Sequence, residues 1–240
     1  GGGLPVRGRL TFILAMCSFP CFGQTEMIEL DDYGNSLEDV IPKGWKIVSQ
    51  SFGDLTADGI EDVVIVIQGT DSTKIDFNED IEADPIDLNP RILAIFSGGG
   101  TSRGFTKKMQ ANEFIIGRDS PTMDEPFDGV EITKNGTLKI DFHFWYSFGS
   151  WSTSNHTYLF RYQHHQFELI GYDSYESDRG NGETTDRSIN FSTRKMKITK
   201  GNSSEDEPHS VEWKEFELDE LKTLESLGKP FEWEFMGISL

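Results

Sequence analysis

The chain has 240 residues, 41 acidic and 22 basic, for a formal net charge of −19; 36% of the residues are hydrophobic and 12% aromatic. That length buries a full core in one large or two small domains, and the aromatic content with 24 glycines marks a folded, strand-rich chain, not a disordered acidic one. The charge excludes broad attraction to nucleic acid or an anionic membrane and leaves cations as the natural charged partners.

Residues 1–23 differ from the rest. Arg7 and Arg9 precede an apolar run from Leu10 to Phe22, and the small Gly23 follows. A basic start, a short apolar stretch and a small residue predict a secretory signal peptide cleaved before Gln24. The run is shorter than the ~20 apolar residues a membrane-spanning helix needs, so no membrane insertion of the mature chain is expected. The expected location is secreted, periplasmic or cell-envelope. Leu14-Ala15-Met16-Cys17 loosely resembles a bacterial lipobox, but Met16 stands where a small residue belongs, so release is favoured over lipid anchoring at Cys17. Cys17 and Cys21 leave with such a leader, and residues 24–240 are then expected to form a single β-rich domain without disulfides.

A short helix is predicted at Ser36–Val40, with Ser36 as N-cap, Asp39 closing a capping box and Pro42 ending it. Strands are predicted at Trp45–Phe52, Val63–Gln68, Arg91–Ser97, Gly129–Lys134, Thr137–Tyr146, Thr157–Gln163 and Gln166–Tyr172. Asn135-Gly136 between alternating residues is a strong hairpin signal, and a second hairpin is expected to turn at His164-His165. Beyond the first turn Leu138, Ile140, Phe142, Phe144 and Tyr146 share one face, with Lys139, Asp141, His143 and Trp145 on the other. Asp76–Asp87 and Gly98-Gly99-Gly100 read as loops inside the fold. Leu218, Leu221, Leu224 and Leu227 suggest a core-facing helix stopped by Gly228 and Pro230. The expected class is mainly β: antiparallel sheets and hairpins with a few short helices, one near the C-terminus.

The sharpest motif is Asp54-Leu55-Thr56-Ala57-Asp58-Gly59-Ile60-Glu61-Asp62. Asp54, Thr56, Asp58 and Asp62 supply oxygens at alternate or spaced positions, Gly59 permits a sharp turn, and the Ile60 carbonyl can add a ligand. Calcium takes six to eight such hard oxygens. An EF-hand would place a glutamate at the twelfth position, which is Ile65 inside an apolar strand, so that reading fails. The same residues also suit an Asp-rich turn closed by its own side chains.

Preceded by Phe52-Gly53 and followed by Val63-Val64-Ile65-Val66-Ile67, the motif resembles the FG-GAP and VCBS-type calcium-binding loops of integrin-like β-propellers. The resemblance covers roughly Ser51 to Gln68 and implies a structural Ca²⁺ held by Asp54, Asp58, Asp62 and the Ile60 carbonyl. Thr56 replaces the commoner Asn or Asp, which lowers the implied affinity. A propeller needs at least four blades and no second copy is present: around Asp76-Phe77-Asn78-Glu79-Asp80 the spacing recurs, but Ile81 takes the glycine position. A full propeller is therefore not expected. The mature chain also resembles secreted bacterial envelope proteins with one such loop ahead of a β-rich region.

The segment from Phe142 to Trp151 is unusually aromatic. Trp145 and Trp151 could stack on a sugar ring with His143 hydrogen-bonding its hydroxyls, or the rings could fill a core. The five histidines lack zinc spacing, no Gly-x-Ser-x-Gly elbow occurs, and Gly98–Thr101 lacks the lysine of a phosphate loop. Asp173, Glu176, Asp178 and Glu183 are expected in a polar loop that could flank a cleft. The expected function is that of a secreted, calcium-stabilised binding or structural protein whose ligand is a glycan or an envelope protein, more a binder than an enzyme. The alternative is an extracellular hydrolase acting on glycans with loop carboxylates.

Overall fold

The computed structural model describes residues 28–77, 84–102 and 104–240. The expected leader, Cys17, Cys21 and Ile81 lie outside the described residues. Strand β1 (Tyr33–Gly34) and helix α1 (Leu37–Val40) precede the hairpin of β2 (Trp45–Gly53) and β3 (Asp62–Gly69). Then come β4 (Ile75–Asp76), β5 (Ile86–Asp87), β6 (Arg91–Gly98) and β7 (Phe105–Ala111). A meander follows: β8 (Phe127–Ile132), β9 (Thr137–Phe144), β10 (Ser152–Gln163), β11 (Gln166–Asp178), β12 (Glu183–Asn190), β13 (Lys195–Asn202) and β14 (Ser210–Glu215). Helix α2 (Leu224–Leu227) and the hairpin of β15 (Glu234–Phe235) and β16 (Ile238–Ser239) complete it.

Two antiparallel sheets carry the fold: five strands in the order β1-β7-β6-β3-β2, and seven in the order β14-β13-β12-β11-β10-β9-β8. The expected mainly β class is observed, with two short α-helices and no propeller among the described residues.

One core gathers a face of each sheet. Val64, Val66, Leu93 and Ile95 from the five-stranded sheet join Leu138, Ile140, Phe142, Tyr158 and Phe160 from the seven-stranded one, with Phe114 from the linking segment packed edge-on to Phe142, Tyr158 and Phe160. The opposite face of the five-stranded sheet, Val63, Ile65, Ile67, Ala94 and Phe96, is covered by Leu30 and Val40. Every residue of β3 is therefore buried. An unbroken apolar run is what a strand covered on both faces demands.

The sheets meet where β2 lies along β8. No backbone ladder joins them; instead Ser51 Oγ accepts the Ile132 N–H at 2.9 Å and Ser49 Oγ accepts the Val130 N–H at 3.4 Å. The serine side chains stand in for strand carbonyls and satisfy amides that would otherwise be lost at a buried edge.

Three expectations need correction. First, Asp173, Glu176, Asp178 and Glu183 are not in a loop: β11 runs through Asp178 and β12 starts at Glu183. These strands are polar because their outer face meets solvent, which hides them from a search for apolar alternation. Second, β7 and β12 to β14 were not expected as strands, for the same reason. Third, the leucine stripe is not one helix, since α2 spans only Leu224–Leu227. A three-residue step advances about 300° on an α-helix, so three steps put Leu218 and Leu227 on opposite sides. The chain instead stays extended where Leu169 N–H donates to the Lys222 carbonyl at 2.7 Å, and Thr223 then caps α2. All four leucines still reach the core.

Candidate functional site

The 54–62 turn is closed by its own acids. Asp62 is fully buried; its Oδ2 accepts the N–H groups of Leu55 and Thr56, both at 2.9 Å, and the Thr56 hydroxyl at 3.1 Å. Its Oδ1 accepts the Gly98 N–H at 3.2 Å. Asp54 accepts from Asp58 N at 3.2 Å and Gly59 N at 2.9 Å, and Asp58 Oδ1 accepts from Ile60 N at 2.8 Å. Gly59 adopts φ +80, the left-handed conformation expected of it.

Two neighbouring turns hold this one in place. A Cβ on Gly98 would overlap the Glu61 carbonyl oxygen, and a Cβ on Gly136 would lie 2.7 Å from the Asp54 carbonyl oxygen. The glycine loop and the Asn-Gly hairpin are thus packing partners of the acidic turn.

Asp58 is exposed, Asp54 and Ile60 are half-buried, and all three belong to the same turn. Asp62 has four donors on its two oxygens, and the Thr56 hydroxyl points its proton at Asp62. Among the described residues no group of three or more His, Cys, Asp or Glu side chains is arranged to hold a metal ion.

The aromatic segment leaves the sheet after Phe144. Trp145 is half-buried, and the Arg179 guanidinium lies 5.0 Å from its ring centroid. The same guanidinium donates to the carbonyls of Tyr146 (2.8 Å), Ser150 (2.5 Å) and Trp151 (3.3 Å). One arginine from the β11–β12 turn therefore fixes the loop at both ends. Phe148 and Trp151 project from it, 80% and 71% exposed. His143 is half-buried in β9, with Nε2 3.4 Å from the Thr153 hydroxyl. The structure thus puts Trp151 and Phe148 in solvent, Trp145 beneath Arg179, and His143 in the strand rather than on the loop.

A polar cluster near the end of the core was not anticipated. His156 contacts the Tyr172 hydroxyl through Nδ1 at 2.6 Å and the Ser154 hydroxyl through Nε2 at 2.8 Å, with Phe144 and Phe231 edge-on to its ring. Burial, aided by the Arg187 charge, pushes its pKa down to about 4. Burial likewise raises the Tyr158 and Tyr172 phenols far above their ordinary value. His156 occupies the core face of β10 in step with Tyr158 and Phe160, the one sequence signal that marks it.

Asp173, Glu176, Asp178 and Glu183 do not form a converging cluster among the described residues. Alternation along β11 puts Asp173 outward and Glu176 inward; Glu176 pairs with Arg187 at 2.6 Å, and Asp178 caps Gly180 N at 2.7 Å. Among the described residues no helix is long and apolar enough to cross a membrane. Comparison of the chain with family models, curated proteins and solved structures gives no match.

Proposed function

We propose that this protein is a secreted binding protein whose recognition element is the 147–151 loop and whose ligand is a glycan. The observation that carries this is Phe148 and Trp151 held out in solvent by a backbone that Arg179 clamps at three carbonyls. Two large exposed rings leave apolar surface wet, and a pre-fixed loop loses little freedom when a ligand arrives. Aromatic faces suit the C–H faces of sugar rings. In this arrangement Trp151 presents the platform, and Trp145, stacked under Arg179, supports it.

Calcium at the 54–62 turn belongs to the same proposal, with Asp54, Asp58 and the Ile60 carbonyl as its ligands. Asp62 acts inside, as the closure of the turn. So few protein oxygens favour the weak end of calcium affinities, about 10⁻³ M.

The test is a glycan screen followed by titration of the best binder. Trp151→Ala and Phe148→Ala should each weaken binding at least about tenfold while leaving the melting temperature unchanged. A glycan bound equally by both variants, or no glycan bound at all, would overturn the proposal; in the second case an envelope protein becomes the occupant to seek.

A further inference from the structure

A cavity of about 840 Å³ opens between the end of β3, the start of β6 and the link that leads into β8. Gln68 of β3 lies on its wall, is 4% exposed, and its Nε2 has no hydrogen-bond partner among the described residues. Arg118, from the link, lines the same cavity. One of its terminal nitrogens donates to the Pro121 carbonyl at 3.1 Å, while its buried Nε also has no partner among the described residues. Buried donors are nearly always satisfied, so two unsatisfied donors on one wall mark a place prepared for an acceptor.

Charge says more about that acceptor. Arg91, which pairs with Gln68 across the ladder, is neutralised by a two-bond contact with Glu125 at 2.6 and 2.8 Å. Among the described residues Arg118 makes no ion pair. Asp84 and Asp124, also on the cavity, are exposed and make no ion pair among the described residues, and Asp87 accepts from Asn89. The inner wall therefore offers one cationic donor, Arg118, and one neutral amide, Gln68, and the rim offers carboxylates, with negative charge in excess. A simple anion meets repulsion there, and a simple cation leaves the inner donors empty.

We infer that this cavity binds a small zwitterion, its carboxylate on Gln68 and Arg118 and its amine toward Asp84 and Asp124, as a free basic amino acid or a peptide ending in lysine would present them. Arginine and an amide suit a carboxylate's two oxygens. Ser147, at the start of the 147–151 loop, lies on the cavity's edge, but Phe148 and Trp151 do not line it, and the inference does not depend on the glycan reading.

The experiment is calorimetric titration of the whole chain at low salt with L-lysine, an N-acetylated tripeptide ending in free lysine, cadaverine and glucuronate. Saturable binding of lysine or the tripeptide is expected, with cadaverine and glucuronate at least about tenfold weaker. Binding of lysine alone identifies a free amino acid, and preference for the tripeptide identifies a chain terminus. Arg118→Met should weaken binding at least about tenfold, and Gln68→Leu several-fold. Gln68→Leu should melt at or above the parent temperature, because it removes a buried donor that lacks an acceptor. Trp151→Ala should bind as the parent does. The inference is overturned if cadaverine or glucuronate binds as well as lysine, if no probe saturates, or if Gln68→Leu binds like the parent. That last variant decides the matter should Arg118→Met fail to fold.

Discussion

Ser51 Oγ accepts the Ile132 N–H at 2.9 Å, a side chain doing for two sheets what a carbonyl does within one. Ser51→Ala should leave that amide without an acceptor and lower stability by about 1–2 kcal/mol. Urea unfolding would show it as a lower midpoint at unchanged slope. Ser51→Thr keeps the hydroxyl and should recover most of the loss; an alanine variant as stable as the parent would refute the role assigned to the seam.

Asp62 carries the acidic turn. Asp62→Ala removes the acceptor of four donors at a fully buried position, and a loss of about 3–5 kcal/mol is expected. Gly98→Ala should cost at least about 2 kcal/mol, because its new Cβ meets the Glu61 backbone rather than a side chain that can swing away. Melting curves of the two variants measure both. If Gly98→Ala is neutral, the turn is less tightly wedged than the geometry indicates.

Calcium should act weakly. With a dissociation constant of about 1 mM, 10 mM calcium adds about 1.4 kcal/mol and raises the melting temperature by about 3–5 °C over an EDTA-treated sample. Magnesium at the same concentration is the control, since so acidic a chain gains from general screening. Equal shifts from both ions, or none from calcium, would remove calcium from the proposal.

His156 makes stability depend on pH. Its folded pKa, about 4, lies below the unfolded value near 6.5, so between these limits the unfolded chain binds the extra proton. Stability then rises with pH: the neutral-pH value is lost as pH falls from about 6.5 to about 4, by on the order of 3 kcal/mol. Chemical unfolding at pH 7, 5.5 and 4 tests this against His156→Gln. The variant should show a shallower loss over that interval, and parallel curves would assign the acid sensitivity elsewhere.

How much of this was legible depends on where each signal sits. Val63–Ile67 reads as buried because the run is uniformly apolar, and Asn135-Gly136 reads as a turn because only certain residues tolerate the backbone there. Strands β12 to β14 stayed hidden because residues such as Asp186, Ser188 and Lys197 lie on the outer face and β14 is exposed along most of its length. The clamp on the aromatic loop comes from Arg179, far along the chain from Trp145, so no local pattern announces it. The Gln68 and Arg118 cavity is assembled from separate segments and has no motif of its own. His156 could have been suspected from its phase with Tyr158 and Phe160, but a lone histidine in an aromatic strand is weak notice.

The N-terminal segment closes the outer face of the five-stranded sheet, and it does so through β7: β1 pairs with β7, Lys107 bonds Glu29 and Asp32, and Gln110 bonds both sides of the Ile28–Leu30 stretch. The earliest described residues to be synthesised therefore wait until Phe105–Ala111 has been made before their partners exist. Until Phe105–Ala111 has joined the sheet, Leu30 has no seat over Ile65, Ile67, Ala94 and Phe96, although β2, β3 and β6 can already associate. Non-local closure of this kind is slow and leaves an apolar face exposed meanwhile. The interval between completion of β6 and docking of Leu30 is thus one in which a newly made chain presents an apolar sheet face to water.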